Sequence, residues 1–296
     1  MNTRWISRRT ALGAATVLAL PGVTPAQAGS GRIVASFSLL ADMVRQVAPP
    51  GFDVQPLVGA DADAHVFEPR PADARRLAEA ELVVVNGLGF EGWIDRLVKA
   101  SGYRGAVVVA SRDVQPRKVG GGADPHAWQD LAHARRYVAT LAQVLVERWP
   151  AQAAAVRERT AAYDARLAAL DAEVRAKLGA IPREQRRVIS SHDAFGYFGA
   201  AYGVDFLAAQ GWNTHSEPSA AAVSRLIQQI RAQRVRALFV ENISDPRLLQ
   251  RIAKDSGARV GGTLYSDALS GPGGPAATYL DLFAHNARTI AAALAA

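Results

Sequence analysis

The sequence predicts an α/β protein: two parallel-sheet βα lobes joined by one long rigid helix. Three observations predict it. Short apolar runs alternate with amphipathic segments from Arg32 to Ser111, the alternation returns from Arg187 to the end of the chain, and a helix-favouring stretch beginning at Pro150 lies between them. Strands that alternate with helices give a parallel sheet covered by helices, because parallel neighbours need a crossover connection.

In the first half, Ile33 to Phe37, Asp53 to Val58, Leu82 to Val85 and Ala106 to Ala110 are strand-like. Leu39 to Val47, Pro71 to Ala80 and Trp93 to Ala100 carry helical spacing. A further helix is predicted from Leu131 towards Trp149. From Pro150 to Gly179 there is no glycine before the last position, and Val156, Tyr163, Leu167, Leu170, Val174 and Leu178 form one continuous helical stripe. A helix of ~30 residues would run ~45 Å, long enough to lie along both lobes, with Pro150 in its first turn. In the second half the strands are Arg187 to Ile189, Val204 to Ala208, Ala237 to Val240 and Val260 to Leu264. Their helices are Ala194 to Tyr202, Ala220 to Arg231, Pro246 to Ser256 and Tyr279 to Ala295. The division follows: residues 1–28 a signal peptide, 29–148 the N-terminal lobe, 149–180 the linking helix, and 181–296 the C-terminal lobe.

The leader reading rests on Arg4, Arg8 and Arg9 ahead of the apolar run Ala11 to Leu20, with Ala26-Gln27-Ala28 as a small-x-small cleavage site. Arg8-Arg9 after Ser7 suits the twin-arginine route, whereas Ala11 stands where that signal usually carries a bulky residue, so the general secretory route stays open. Both predict export to the periplasm. The apolar run is about ten residues, short of the ~20 that span a bilayer. The chain has no cysteine, so no disulfide, thiolate ligand or lipid-anchor acceptor is expected. Removal of residues 1–28 lowers the formal net charge from +7 to +4 (31 basic against 27 acidic residues). The arginines are scattered along polar helix faces, so no nucleic-acid partner is expected.

Chemistry concentrates in four short motifs: Asp63-Ala64-His65, Asp124-Pro125-His126-Ala127-Trp128, Ser191-His192-Asp193-Ala194-Phe195 and Tyr265-Ser266-Asp267-Ala268-Leu269. Three imidazoles and a carboxylate make a four-coordinate set for a divalent transition metal. Their separations of 61, 66 and 75 residues carry no local signature. Placement says more: His65, His192 and Asp267 each follow a predicted strand, where open α/β sheets bind ligands, and two candidates come from each half. Lobes folded face to face would bring all four to one cleft.

Neighbouring groups have plainer readings. Glu68 and Asp63 could be ligands, but Glu68, before Pro69, is read as a helix cap or an acceptor behind a ligand; Glu241, at a strand end, could reach the cleft and is read as a group behind a ligand or as structural. Asp124 and Asp193 could each orient an imidazole or cap local backbone, and His133 and His285 are read as surface residues. His215 with Glu217 is the auxiliary metal contact to test. Trp128, Phe195, Tyr197, Phe198 and Tyr265 cluster around the motifs; they are read first as packing, and a collar of them would also limit water and hold the imidazoles.

The chain resembles the zinc/manganese-binding substrate-binding proteins of bacterial ABC transporters over essentially all of its length after the leader. The resemblance is carried by Asp63-Ala64-His65-Val66-Phe67-Glu68-Pro69, by Asp124 to Trp128, by Ser191 to Phe198, by Phe239-Val240-Glu241-Asn242 and by Leu264 to Leu269. It implies two α/β lobes on a rigid helix, metal ligands at His65, His126, His192 and Asp267, and a membrane permease as partner. A periplasmic metallochaperone is a further partner to test, and a monomer is expected. Many zinc-specific members carry a long histidine-rich loop before the second ligand; here Arg117 to Ala123 is short and glycine-rich, so no such auxiliary role is expected.

Three nitrogens and one carboxylate favour Zn(II), with Mn(II) the alternative cargo; a carboxylate at position 192 would have signalled manganese. A secreted zinc hydrolase is the rival from another class, but it needs an open coordination position and a general base, and Asp267 would close the shell. A chelated metal such as haem or a siderophore would find little left to coordinate. With a rigid helix between the lobes, release is expected from local movement of the loop around His126 rather than wide hinge closure.

Overall fold

The computed structural model describes residues 31–120, 122–233, 235 and 237–295, so the leader lies outside the described residues. The first lobe is built on β1 (Arg32–Phe37), β2 (Asp53–Val58), β3 (Leu82–Val85) and β4 (Ala106–Val109), all parallel in the order β2-β1-β3-β4. The central strands β1 and β3 are almost wholly buried, which is why they read as unbroken apolar runs. At the edge, β4 leaves Val107 and Val109 exposed although it is as valine-rich as β3. Helices α1 (Ser38–Val47), α2 (Pro71–Ala78) and α3 (Ile94–Ser101) connect these strands.

After β4 comes a small antiparallel hairpin, β5 (Lys118–Val119) and β6 (Gly122–Ala123), where the sequence reads as a glycine-rich loop. Next is α4 (Leu131–Arg148), capped by Asp130, whose carboxylate accepts the Ala132 N–H at 2.8 Å. The long helix α5 spans Ala153–Gly179 and starts three residues later than the sequence suggests. Pro150–Gln152 form a separate 3₁₀ turn, and Gln152 has non-helical ψ, so Pro150 opens the turn instead of the helix. Val156, Tyr163, Leu167, Val174 and Leu178 of the predicted stripe are buried, and Leu170 packs at its margin. At 1.5 Å per residue this helix is about 40 Å long. It packs on α1 and α4 of the first lobe and on α6 and α9 of the second.

The second lobe holds β7 (Arg187–Ser190), α6 (Gly196–Tyr202), β8 (Asp205–Ala208), α7 (Ala220–Gln233), β9 (Ala237–Glu241), α8 (Pro246–Ser256), β10 (Arg259–Leu264) and α9 (Tyr279–Ala295). Its parallel sheet has the order β10-β9-β7-β8. Taken from the other edge, β8-β7-β9-β10, it repeats the first sheet strand for strand. In both sheets the chain reverses its direction of travel between the two central strands, β1 and β3 or β7 and β9. That point leaves a crevice at the carboxyl ends of the strands. One large apolar core runs through the first lobe, α5, α6 and α9, and a smaller one, including Ile189, Leu226, Ile230, Leu238 and Ile252, lies under α7 and α8.

Candidate metal centre

The four candidate residues converge between the lobes. His65 lies in the loop after β2, His126 beyond the β5–β6 hairpin, His192 just past β7 and Asp267 just past β10. His65 is 3 % exposed and the other three are fully buried. His65 Nε2 and His126 Nε2 stand 3.3 Å apart. Asp267 Oδ2 lies 3.2 Å from His65 Nε2, 3.2 Å from His192 Nε2 and 3.8 Å from His126 Nε2. One ligand atom from each residue lies within 4.8 Å of all the others, the one such group of histidine and carboxylate side chains found among the described residues. Ligands about 2.0–2.1 Å from a tetrahedral ion stand about 3.3–3.4 Å from one another. Neither Asp267 oxygen has a hydrogen bond of acceptable geometry, although both are buried. A buried carboxylate with no donor is costly, and lone pairs directed at a common point describe a cation's surroundings better than a hydrogen-bond network.

Two of the imidazoles meet a carboxylate from behind, and His65 is placed through its backbone. Asp124 Oδ1 accepts from both the backbone N–H and Nδ1 of His126, at 3.0 and 2.9 Å. Its Oδ2 meets Arg117 Nη1 at 3.0 Å. The guanidinium reaches it because residue 196 is glycine: a Cβ there would stand 1.6 Å from Arg117 Nη1. Glu241, at the end of β9, spans the crevice to β7; Oε2 lies 2.6 Å from His192 Nδ1, and Oε1 accepts the His192 backbone N–H at 2.9 Å. A carboxylate on Nδ1 leaves Nε2 free to coordinate and strengthens it as a donor. His65 has its backbone N–H held by Asp63 Oδ1 at 2.8 Å, while the carbonyl of Ala64 accepts from Trp93 Nε1 at the same distance. Asp267 is set by its neighbour: the Ser266 carbonyl accepts from Trp128 Nε1 at 2.9 Å and Gln129 Nε2 at 2.8 Å.

These charges shift one another. Burial opposes the charged form of His192, yet Glu241 and Asp267 outweigh it and hold the imidazole well above its ordinary value. Burial would likewise raise Asp267, but the charges of His192 and His126 dominate and keep its carboxyl well below the carboxylate range. His65 is pushed down, by burial first, against the pull of Asp267.

Some neighbours take the places the sequence suggests and others do not. Glu68 is exposed, and the start of α2 is held instead by Asp73, which accepts the Arg70 N–H at 2.8 Å. Of the aromatic collar, Trp128 lies 5.4 Å from the His126 ring and Tyr197 donates its hydroxyl to the Asp124 carbonyl. Phe195 and Phe198 pack on Phe206 in the second lobe. Phe90, which no motif marks, lies 4.7 Å from the His65 ring and 6.0 Å from that of His126. His215 and Glu217 are exposed and outside the group of four. His133 and His285 are half-buried, the first against Tyr197 and the second against Tyr265. The loop at His126 is bonded to Arg117, to Tyr197 and, through the Pro125 carbonyl, to Asn86 Nδ2 at 2.9 Å.

The family model described as zinc-uptake complex component A periplasmic, ZnuA, matches residues 33–293. The chain belongs to the ZnuA family. Among this ZnuA-family chain's relatives, the manganese-binding lipoprotein MntA of Halalkalibacterium halodurans is 33 % identical over 264 residues, covering 89 % of this chain and 88 % of that protein. The iron-binding protein YfeA of Yersinia pestis is 31 % identical, covering 88 % and 85 %. The periplasmic zinc-binding protein TroA from Treponema pallidum superposes with a TM-score of 0.86 at 29 % identity, covering 90 % of this chain and 99 % of that one. The two-lobed architecture is therefore that of the family.

Proposed function

We propose that this ZnuA-family chain is the periplasmic binding component of a metal-uptake ABC transporter, which holds Zn(II) through His65, His126, His192 and Asp267 and delivers it to a membrane permease. The observation that carries the reading is the buried, donorless Asp267 carboxylate facing three imidazole Nε2 atoms. Transport is favoured over catalysis because four protein groups fill a tetrahedral shell and none is exposed enough to admit a substrate. Zinc is favoured by three nitrogen donors, two of them backed by carboxylates. Manganese is the second reading, supported by the likeness to MntA.

The test is calorimetric titration of Zn(II) and Mn(II) into the chelator-stripped protein and into Asp267→Ala and His192→Ala. One equivalent of zinc should bind more tightly than manganese, and each variant should lose at least about a hundredfold in zinc affinity. Wild-type affinity in both variants would rule out the ligand set, and tighter binding of manganese would replace zinc as the cargo.

A further inference from the structure

Outside the four candidate ligands the lobes also meet at a strap. Residues 209–219 join β8 to α7, belong to no regular element and are largely exposed or half-exposed. The strap touches the first lobe at two points. Thr214 Oγ1 donates to Asp63 Oδ2 at 2.6 Å, and Trp212 lies against the hairpin turn, its Nε1 3.5 Å from where a Cβ of Gly120 would stand. Asp63 thus serves two partners, since its other oxygen holds the backbone N–H of His65.

Behind the strap lies a cavity of about 490 Å³, walled in part by Asp63, Ser191, Gln210, Thr214, Ser244 and Leu248. None of the four proposed ligands lines it, but two of its wall residues are chain neighbours of ligands: Asp63 stands two residues before His65 and Ser191 immediately before His192. Elsewhere Phe90 and Trp128 close over the imidazoles of His65 and His126. The first-lobe rim is fixed: Asp61 accepts from Asn242 Nδ2 at 3.0 Å and from the Gly271 N–H at 3.1 Å, and its own N–H donates to the Leu269 carbonyl. The strap is held to its own lobe at its start, by the Gln210 N–H to the Ser191 carbonyl at 2.9 Å and the Asp193 N–H to the Gly211 carbonyl at 3.1 Å, and reaches the first lobe further along through Thr214.

We infer that this cavity is the route by which the cation reaches and leaves the site, and that the Thr214–Asp63 hydrogen bond is the fastener that sets how fast it leaves. The inference rests on the ligand set proposed above. A hydroxyl bound to a carboxylate at a half-buried position is strong enough to keep the strap closed most of the time. It is also weak enough to open without unfolding either lobe. Opening here needs no bending of α5 and leaves the Asp124–His126 and Glu241–His192 pairs intact.

The experiment is rapid mixing of the zinc-loaded full-length protein with excess 4-(2-pyridylazo)resorcinol, following metal transfer by absorbance. Thr214→Val keeps the volume and removes the donor; release should accelerate about tenfold. Thr214→Ser restores the hydroxyl and should release within about twofold of the unmodified rate. Leu248→Trp narrows the cavity away from every proposed ligand and should slow capture and release by similar factors, with equilibrium affinity nearly unchanged. Release from Thr214→Val at the unmodified rate overturns the fastener, and unmodified capture by Leu248→Trp overturns the route. If the unmodified protein fails to take up one equivalent of zinc, the ligand set itself has failed, which the loading step reveals before any rate is measured.

Discussion

At the scale of the residue, the carboxylates behind two of the proposed ligands, Asp124 and Glu241, tune how strongly those imidazoles donate. Glu241→Gln preserves shape at the crevice between β7 and β9 but removes the carboxylate from His192 Nδ1. Zinc affinity should fall about 10- to 100-fold, read by competition with a chelator of known strength. The same pairing fixes the pH dependence. In the metal-free protein Glu241 and Asp267 hold a proton on His192 to higher pH than an ordinary imidazole would keep it. On the proposed ligand set zinc has to displace that proton, so affinity should fall as pH drops through the raised value of His192. His65, whose pKa is lowered, adds a second competing proton only at more acid pH. Calorimetry near neutral pH in two buffers of different ionisation enthalpy should register about one proton released per zinc. A binding enthalpy independent of the buffer would contradict this account.

At the scale of the element, α5 is the part most plainly written in the sequence. Its apolar stripe recurs over many turns, and a long period is the strongest local signal a chain can carry. Leu167 lies in that stripe and is fully buried. Leu167→Ala should cost about 2–5 kcal/mol in urea unfolding while zinc stoichiometry stays at one, because none of the four proposed ligands lies on α5. An unchanged unfolding midpoint would mean that the stripe is not packed as described. The β5–β6 hairpin was not legible, since two-residue strands are too short for periodicity. The exposure of Val107 and Val109 was hidden for another reason: a valine-rich strand reads the same at the edge of a sheet as at its centre. Around the candidate site, the short motifs marked the four convergent residues, but Phe90 and the pinning of the Ser266 carbonyl by Trp128 and Gln129 were not foreseeable. The latter joins positions 137 and 138 residues apart, and no local pattern records a contact across the cleft.

At the scale of the whole molecule, the proposed centre, assembled from both lobes, would couple metal occupancy to folding. An ion that binds the native chain and not the unfolded one stabilises it by RT ln(1 + [L]/Kd), about 4 kcal/mol when free zinc is a thousand times Kd. For a chain of this size each kcal/mol moves the unfolding midpoint by about 2–4 °C, so saturating zinc should raise it by about 8–16 °C over chelator-treated protein. Asp267→Ala should abolish most of that shift, because it removes the one carboxylate that meets all three Nε2 atoms and ties together loops from both halves of the chain. Leu167→Ala should lower both midpoints and keep the difference between them. Scanning calorimetry of the three proteins with and without zinc separates the cases. A zinc-dependent shift that survives Asp267→Ala intact would place the bound ion elsewhere, and an equal shift with manganese would mean that the donor set does not discriminate between the two metals.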